Sequence, residues 1–82
     1  MNVLITATGR EIKVASVTYD DFLDVIHLKI CDLSLLETVA IFSDENETSV
    51  MTYGETAYEG YTFVKAVSPT QNWIHLMIGK AP

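Results

Sequence analysis

Two histidines and one cysteine are the side chains of this sequence best suited to acid–base, nucleophilic or metal chemistry. His27 and His75 each occupy the polar position of an alternating apolar run, where a surface side chain is expected. Cys31 follows His27 by four residues, which is about 13 Å along a strand and too far for a catalytic pair. One cysteine and two histidines also make a poor structural zinc site. We therefore expect neither a catalytic residue nor a metal site.

Acidic side chains offer two further kinds of chemistry. The segment that begins at Asp44 has oxygen-bearing side chains at alternate positions, as in calcium-binding loops, but Ser49 stands where such a loop requires glycine. A solvated turn is the better interpretation. Asp20 and Asp21 resemble a glycosidase carboxylate pair, yet so short a chain leaves little depth for a sugar cleft. With no glycine-rich phosphate loop and no nucleophile elbow, the sequence predicts a non-enzyme without cofactors.

Charge narrows the range of partners. The net charge is −6, and ten of the eleven acids lie between Asp20 and Glu59, where Lys29 is the only base. Nucleic-acid binding requires a basic face, so we expect no nucleic-acid partner. An acidic surface that maintains solubility is the plainer interpretation. The sequence contains no apolar stretch of ~20 residues and no signal-peptide pattern, which predicts no membrane partner and a cytoplasmic location at synthesis.

Strands must position most of these side chains. Residues 3–8 and 11–14 alternate in polarity and flank Gly9, which predicts a hairpin with a two-residue turn. In that register Ile5 lies opposite Val14, so that apolar residues share one face. The apolar pattern changes phase just after Val14, which predicts a β-bulge there.

A third strand and a helix follow. Residues 25–31 alternate in polarity again. Ser34 and Glu37 have the spacing of a capping box, which predicts a short helix over residues 35–42. The β-branched residues near its end leave a strand as the alternative. Residues 44–49 are predicted to form a polar loop.

Three more strands are predicted at residues 50–53, 58–67 and 73–79, with a bulge at Gly60. The element order is then β-β-β-α-β-β-β. We expect one domain over residues 1–82, of the α+β class and predominantly antiparallel. It would form a small sandwich or partly open barrel with one short helix.

The last hairpin is apolar on both sides. If Val67 faces Trp73, then Ala66 faces Ile74 and builds an ordinary core face. So small a domain cannot bury both faces unless the helix covers one. Either the helix docks on the second face, or that face meets another chain. The predicted interface comprises Tyr61, Phe63, Val67, Trp73 and Met77.

The second half of the chain resembles a known group of proteins. An apolar helix ends in Phe-Ser-Asp at residues 42–44, a short strand follows, and residues 58–62 read Tyr-Glu-Gly-Tyr-Thr. This combination looks like small β-rich proteins of phage and prophage in Gram-positive bacteria, often tied to tail or virion assembly. The resemblance implies a structural role and a location in the virion, and it carries over no catalytic or binding residues.

The leading hypothesis is therefore a non-enzymatic structural, assembly or protein-interaction subunit of phage type. It would self-associate or dock on another structural protein through the predicted interface. One alternative is a small-ligand or carbohydrate-binding module in which Trp73, Tyr61 and Tyr58 form a stacking platform. A further alternative, motivated by the acidic residues between Asp20 and Glu59, is a decoy or inhibitor of a basic protein.

Overall fold

Alternating apolar residues from both halves of the chain meet in one core between two antiparallel sheets. The computed structural model describes residues 2–80. Its elements are β1 (Val3–Ile5), β2 (Glu11–Lys13), β3 (Ser16–Asp20), β4 (Val25–Ile30), α1 (Leu35–Phe42), α2 (Glu45–Thr48), β5 (Val50–Tyr53), β6 (Thr56–Glu59), β7 (Tyr61–Thr70) and β8 (Trp73–Lys80). The first sheet has the strand order β2-β1-β5-β6, and the second has β3-β4-β8-β7. The predicted α+β class, mostly antiparallel and arranged as a small sandwich, is confirmed.

The centre of the core is built by β4 and β8. Leu28 pairs with Leu76, and isoleucine pairs with isoleucine on either side of them. Leu28 is 1% exposed and Leu76 is 0% exposed. Full burial of one such side chain stabilises the fold by about 1.5–3 kcal/mol. The first sheet contributes Leu4, Ile12 and Met51 to the same core.

The predicted helix begins and ends as expected. The Ser34 hydroxyl accepts the Glu37 amide at 3.1 Å, and the Glu37 carboxylate accepts the Ser34 amide at 3.1 Å, which confirms the capping box. These bonds hold the pKa of Glu37 below its ordinary value. Phe42, in the last turn, is buried in the core, and α1 packs against β7. Asp44 then caps α2, a single helical turn where a polar loop was predicted.

Both predicted bulges are points where the chain passes from one sheet to the other. The Val14 amide donates to the carbonyl of Asn2 in the first sheet, and the next amide, of Ala15, donates to Lys29 in the second. At Gly60, with φ of 78°, β6 of the first sheet ends and β7 of the second begins. Each crossing divides one predicted strand into two.

The first hairpin forms, but its predicted register and turn are wrong. Ile5 pairs with Glu11 and is exposed, whereas Leu4 fills the core. Residues 6–10 form a wider turn than the predicted two-residue connection. The cause lies far along the chain, because the Glu47 carboxylate accepts hydrogen bonds from this turn and holds it open.

Candidate protein-interaction site

A bulge in β7 divides the predicted interface between two faces of the second sheet. The pairing of β7 with β8 shifts register between Phe63 and Lys65. The extra residue, Val64, lies over Gly79, where an added Cβ would approach the Val64 side chain to 3.1 Å. Before the bulge, Tyr61 is buried in the core and Phe63 packs against it. These two predicted interface residues therefore belong to the inner face.

The other three predicted interface residues share the opposite face. Trp73 and Met77 alternate with the buried residues of β8 and are themselves half-buried. Val67 is adjacent, but it pairs with His75, so its predicted pairing with Trp73 is wrong. Because α1 directs Phe42 into the core, the helix packs on the inner side and leaves this side open.

The open side contains further residues that the sequence had not grouped together. Strand β4 lies beside β8, which brings the outward side chains of both strands onto the surface that β7 continues. We define the outer face by its central residues, His27, Lys29, Lys65, Val67, Trp73, His75 and Met77.

The two histidines of the outer face contact each other. Nδ1 of His27 lies 2.8 Å from Nε2 of His75, and the rings stack with centroids 5.0 Å apart. They meet diagonally, because His27 pairs directly with Met77 and His75 with Lys29. One ring nitrogen donates this bond and the other accepts it. Within residues 2–80, no group of three or more His, Cys, Asp or Glu side chains is arranged to hold a metal ion.

Trp73 is held beside the histidine pair. The Lys29 ammonium lies 4.7 Å from the centroid of the Trp73 ring, a cation–π contact, and the His75 ring is 6.4 Å away. Ser16 and Thr18 of β3 complete a shallow hollow of about 210 Å³ around these side chains. The hollow presents aromatic surface, N–H donors and hydroxyl groups together.

The outer face is locally basic although the protein carries a net charge of −6. Its cations are Lys29 and Lys65. The ion pairs within residues 2–80 involve Arg10 and Lys13 instead. The register places no carboxylate among the outward residues of β4, β7 and β8, and the outward carboxylate of β3, Asp20, lies at the Val25 end of the sheet, away from Lys29. This surface can therefore attract a negatively charged group from a partner.

A second unusual surface is the turn between β3 and β4. We call residues 20–24 the tip. Phe22 is 90% exposed and Leu23 is 62% exposed, so two apolar side chains project into solvent. The Asp20 carboxylate accepts their backbone amides at 3.0 and 3.3 Å. The left-handed backbone of Asp24, with φ of 53°, closes the turn.

Asp24 also fastens the tip to the body of the protein. Its Oδ1 atom accepts the hydroxyl groups of Tyr61 and Tyr19, each at 2.8 Å. The bond from Tyr61, followed by that from Tyr19, holds the pKa of Asp24 below its ordinary value. Burial, with the nearby Asp24 carboxylate, raises the pKa of Tyr61. Tyr61 therefore anchors the tip from the core. Local sequence patterns could not reveal this bond between distant residues.

The turn of the first hairpin is held by a third carboxylate. Glu47 is 6% exposed. Its carboxylate accepts hydrogen bonds from the Thr8 hydroxyl, from Thr6 at 2.8 Å and from Arg10 Nε at 2.9 Å. The Ala7 amide donates to the Glu47 carbonyl at 2.9 Å. Each member of this network is hydrogen-bonded to another member. We therefore interpret the network as stabilising the local structure and not as a binding site.

A cleft of about 480 Å³ lies beside the tip and is lined by Tyr19, Tyr58 and Tyr61. Tyr58 meets Tyr61 edge to face, with centroids 5.8 Å apart, and the Lys80 ammonium lies 5.1 Å from the Tyr61 ring. Trp73 is on the outer face of the sheet, whereas Tyr61 is on the inner face. The structure therefore does not bring together the three aromatic residues of the predicted stacking platform.

No protein-family model, curated protein or solved structure matches this chain. Neither of the helices found in residues 2–80 is long and apolar enough to cross a membrane. The geometry of the outer face and the tip is therefore the basis for proposing a function.

Proposed function

We propose that this protein is a non-catalytic interaction subunit whose outer face binds an acidic, apolar segment of a partner protein. The observation that carries the proposal is the outward-facing, half-buried array around Trp73. Lys29 covers the ring, His75 lies beside it, and Lys65 extends the positive charge along β7. This array occupies an open sheet face of an otherwise acidic chain.

The composition of the outer face suits protein recognition. Aromatic residues and methionine are enriched at the centres of protein interfaces, and tryptophan is frequent among the residues that dominate binding energy. Trp73 and Met77 offer apolar contact area to a partner. Lys29 and Lys65 offer charges that steer an acidic segment and fix its register. The side chains already lie against the sheet, so little freedom is lost on binding.

The proposed interaction would serve the assembly of a larger structure. The resemblance to small phage and prophage proteins supports a structural component that self-associates or docks on another structural protein, located in the virion. The short chain supports it as well, because a partner that binds only the folded state adds to the stability of a small core. Neighbouring genes that encode virion parts are the expected finding. A neighbourhood of unrelated metabolic genes would argue against the phage role.

The fluorescence of Trp73 provides the test, because it is the only tryptophan in the chain. We expect a short peptide of Asp, Phe and Leu to change the emission, and the same peptide with Lys in place of Asp to leave it unchanged. The double variant K29E/K65E should weaken binding by about tenfold or more. Lys13→Glu is the matched control, since Lys13 is exposed on the first sheet, and this variant should bind like the natural chain.

Two outcomes would contradict the proposal. One is an emission that no acidic apolar peptide changes. The other is an equal loss of binding in the Lys13→Glu control, which would assign the effect to net charge rather than to the outer face. Circular dichroism of each variant should show an unchanged fold, because the substituted lysines lie outside the core.

A second candidate function rests on the tyrosine-lined cleft. Tyr19 and Tyr58 offer ring surface beside the Lys80 ammonium, an arrangement suited to a small ligand such as a carbohydrate. A glycan array with signals that disappear in Tyr58→Ala would support it, and an array without signals would remove it. The predicted decoy role has less support, because the carboxylates of Glu47 and Asp24 are engaged within the chain.

A further inference from the structure

We propose that the segment bound by the outer face is the tip of a second copy of this chain. In this contact, Phe22 and Leu23 of one copy lie on the Trp73 array of the other. The inference rests on the proposed function, because it names the partner of the same surface.

The tip has the properties of a docking element. Phe22 is almost fully exposed and Leu23 largely so, and both carry apolar side chains into water. The turn that carries them is fixed at one end by the Asp20 carboxylate and at the other by Asp24, which is bonded to Tyr61 in the core. A contact made by a fixed turn loses less conformational entropy than one made by a mobile loop. Exposure and fixation together favour the tip as an interface anchor.

The chemistry of the tip complements that of the outer face. In the tip, Asp20 and Asp21 stand beside an apolar pair. On the outer face, Lys29 and Lys65 stand beside Trp73, with no carboxylate among the outward residues of the central strands. An aromatic side chain of the tip therefore meets an aromatic platform, and its acids meet lysines that have no ion-pair partner within residues 2–80.

The positions of the two surfaces explain why the contact requires a second copy. Both belong to the second sheet, but the tip projects from the Val25 end of β4, whereas Lys29 and Trp73 lie toward the opposite end. The 90% exposure of Phe22 shows that the tip does not fold back onto its own chain. A two-fold axis between two facing sheets, running across their strands, would place each tip over the Trp73 end of the other copy. The pair then closes with two equivalent contacts.

The test measures mass by light scattering and sedimentation over a range of concentrations. We expect the natural chain to form a dimer. The tip variant F22S/L23S and the face variant W73D should each be monomeric. Leu36→Ser is the matched control, because Leu36 is an 81% exposed apolar residue on α1, away from both surfaces, and it should remain dimeric. Circular dichroism and thermal unfolding establish that every variant is folded.

Mixing the two monomeric variants distinguishes this contact from others. The tip variant retains an intact outer face, and the face variant retains an intact tip, so the mixture should form a heterodimer through one contact. A contact of tip with tip, or of face with face, would leave the mixture without heterodimers and would overturn the inference.

A natural chain that is monomeric at all concentrations would also overturn it. If acidic peptides still change Trp73 fluorescence in that case, the proposed function stands and the partner is a different protein. If the peptides fail as well, both proposals fall.

Discussion

The strand pair β4–β8 has two faces, and their side chains differ in burial and in chemistry. On the inner face, isoleucine and leucine residues such as Leu28 and Leu76 repeat with almost no exposure. On the outer face, the outward residues of the two strands are half-buried and of mixed chemistry, and they meet in defined contacts such as that of Lys29 with Trp73. The inner contacts depend on volume and apolar area, whereas the outer contacts depend on charge, ring orientation and hydrogen bonding.

This difference assigns stability and recognition to alternate residues of the same strands. Substitution of an inner residue should change the free energy of unfolding. Substitution of an adjacent, outward-facing residue should weaken association and lower the free energy of unfolding much less.

The largest effect is expected for Leu76→Ala on the inner face. Leu76 is 0% exposed. The substitution should lower the free energy of unfolding by about 2–5 kcal/mol, because it removes buried methyl groups and leaves a cavity. Urea titration followed by circular dichroism measures this loss. A change below about 1 kcal/mol would show that the inner face does not carry the stability of the fold.

Glu47 should affect stability without affecting association. Hydrogen bonds from Thr8, Thr6 and Arg10 hold its pKa below the ordinary value of 4.5. Because the folded chain favours the carboxylate, this stabilisation is fully present above the unfolded pKa and is lost as pH falls through the lower folded pKa. We expect Glu47→Gln to lower the Tm by about 5 °C at neutral pH and to reduce the fall in Tm below about pH 4.5. An unchanged acid profile, measured by thermal unfolding, would contradict this role of Glu47.

The reverse pattern is expected for Trp73→Ala on the outer face. Self-association, measured by sedimentation, should weaken by about tenfold or more, because a central aromatic anchor is lost. The free energy of unfolding should fall by only about 1 kcal/mol, less than for Leu76→Ala. If Trp73→Ala instead destabilises the fold as much as the inner substitution and leaves association intact, the proposed division between the faces is wrong.

The smallest effect is expected for Tyr61→Phe, which removes one hydroxyl and keeps the ring. The pKa of Asp24 should rise toward its ordinary value, because the hydrogen bond from Tyr61 is the largest cause of its depression. The amides of Phe22 and Leu23 should exchange faster with solvent. Association should weaken by about threefold, since a looser tip loses more entropy on docking. Tyr58→Phe, which leaves the bonds to Asp24 intact, is the control. Unchanged exchange at the tip in Tyr61→Phe would show that Asp24 is not its anchor.

Much of the fold follows from local patterns in the sequence. Period-two alternation indicated most of the strands, and the spacing of Ser34 and Glu37 indicated the helix. The sequence predicts bulges at the two sheet crossings, because a phase change in the apolar pattern looks the same when a strand bulges and when it changes sheet. Of the two register shifts in β7, the one at Val64 has no adjacent glycine or proline in that strand to indicate it.

The candidate site was less predictable, because it depends on contacts between distant residues. The bond from Tyr61 to Asp24, which anchors the tip, joins side chains 37 positions apart. The histidine contact could have been inferred, since both histidines follow an isoleucine and precede a leucine in similar strands that the sheet pairs directly. The exposure of Phe22 had no sequence signal beyond its position among acids in a turn.

The shared carboxylate of Asp24 has a mechanical consequence. It accepts hydrogen bonds from Tyr19 of β3 and from Tyr61 of β7. Because β3 and β7 are the two edge strands of the second sheet, the tip is held by both edges of that sheet. A pull applied at the tip is thereby spread over the width of that sheet instead of peeling one hairpin away. A subunit linked to a second copy through such a tip should therefore resist extension under tension.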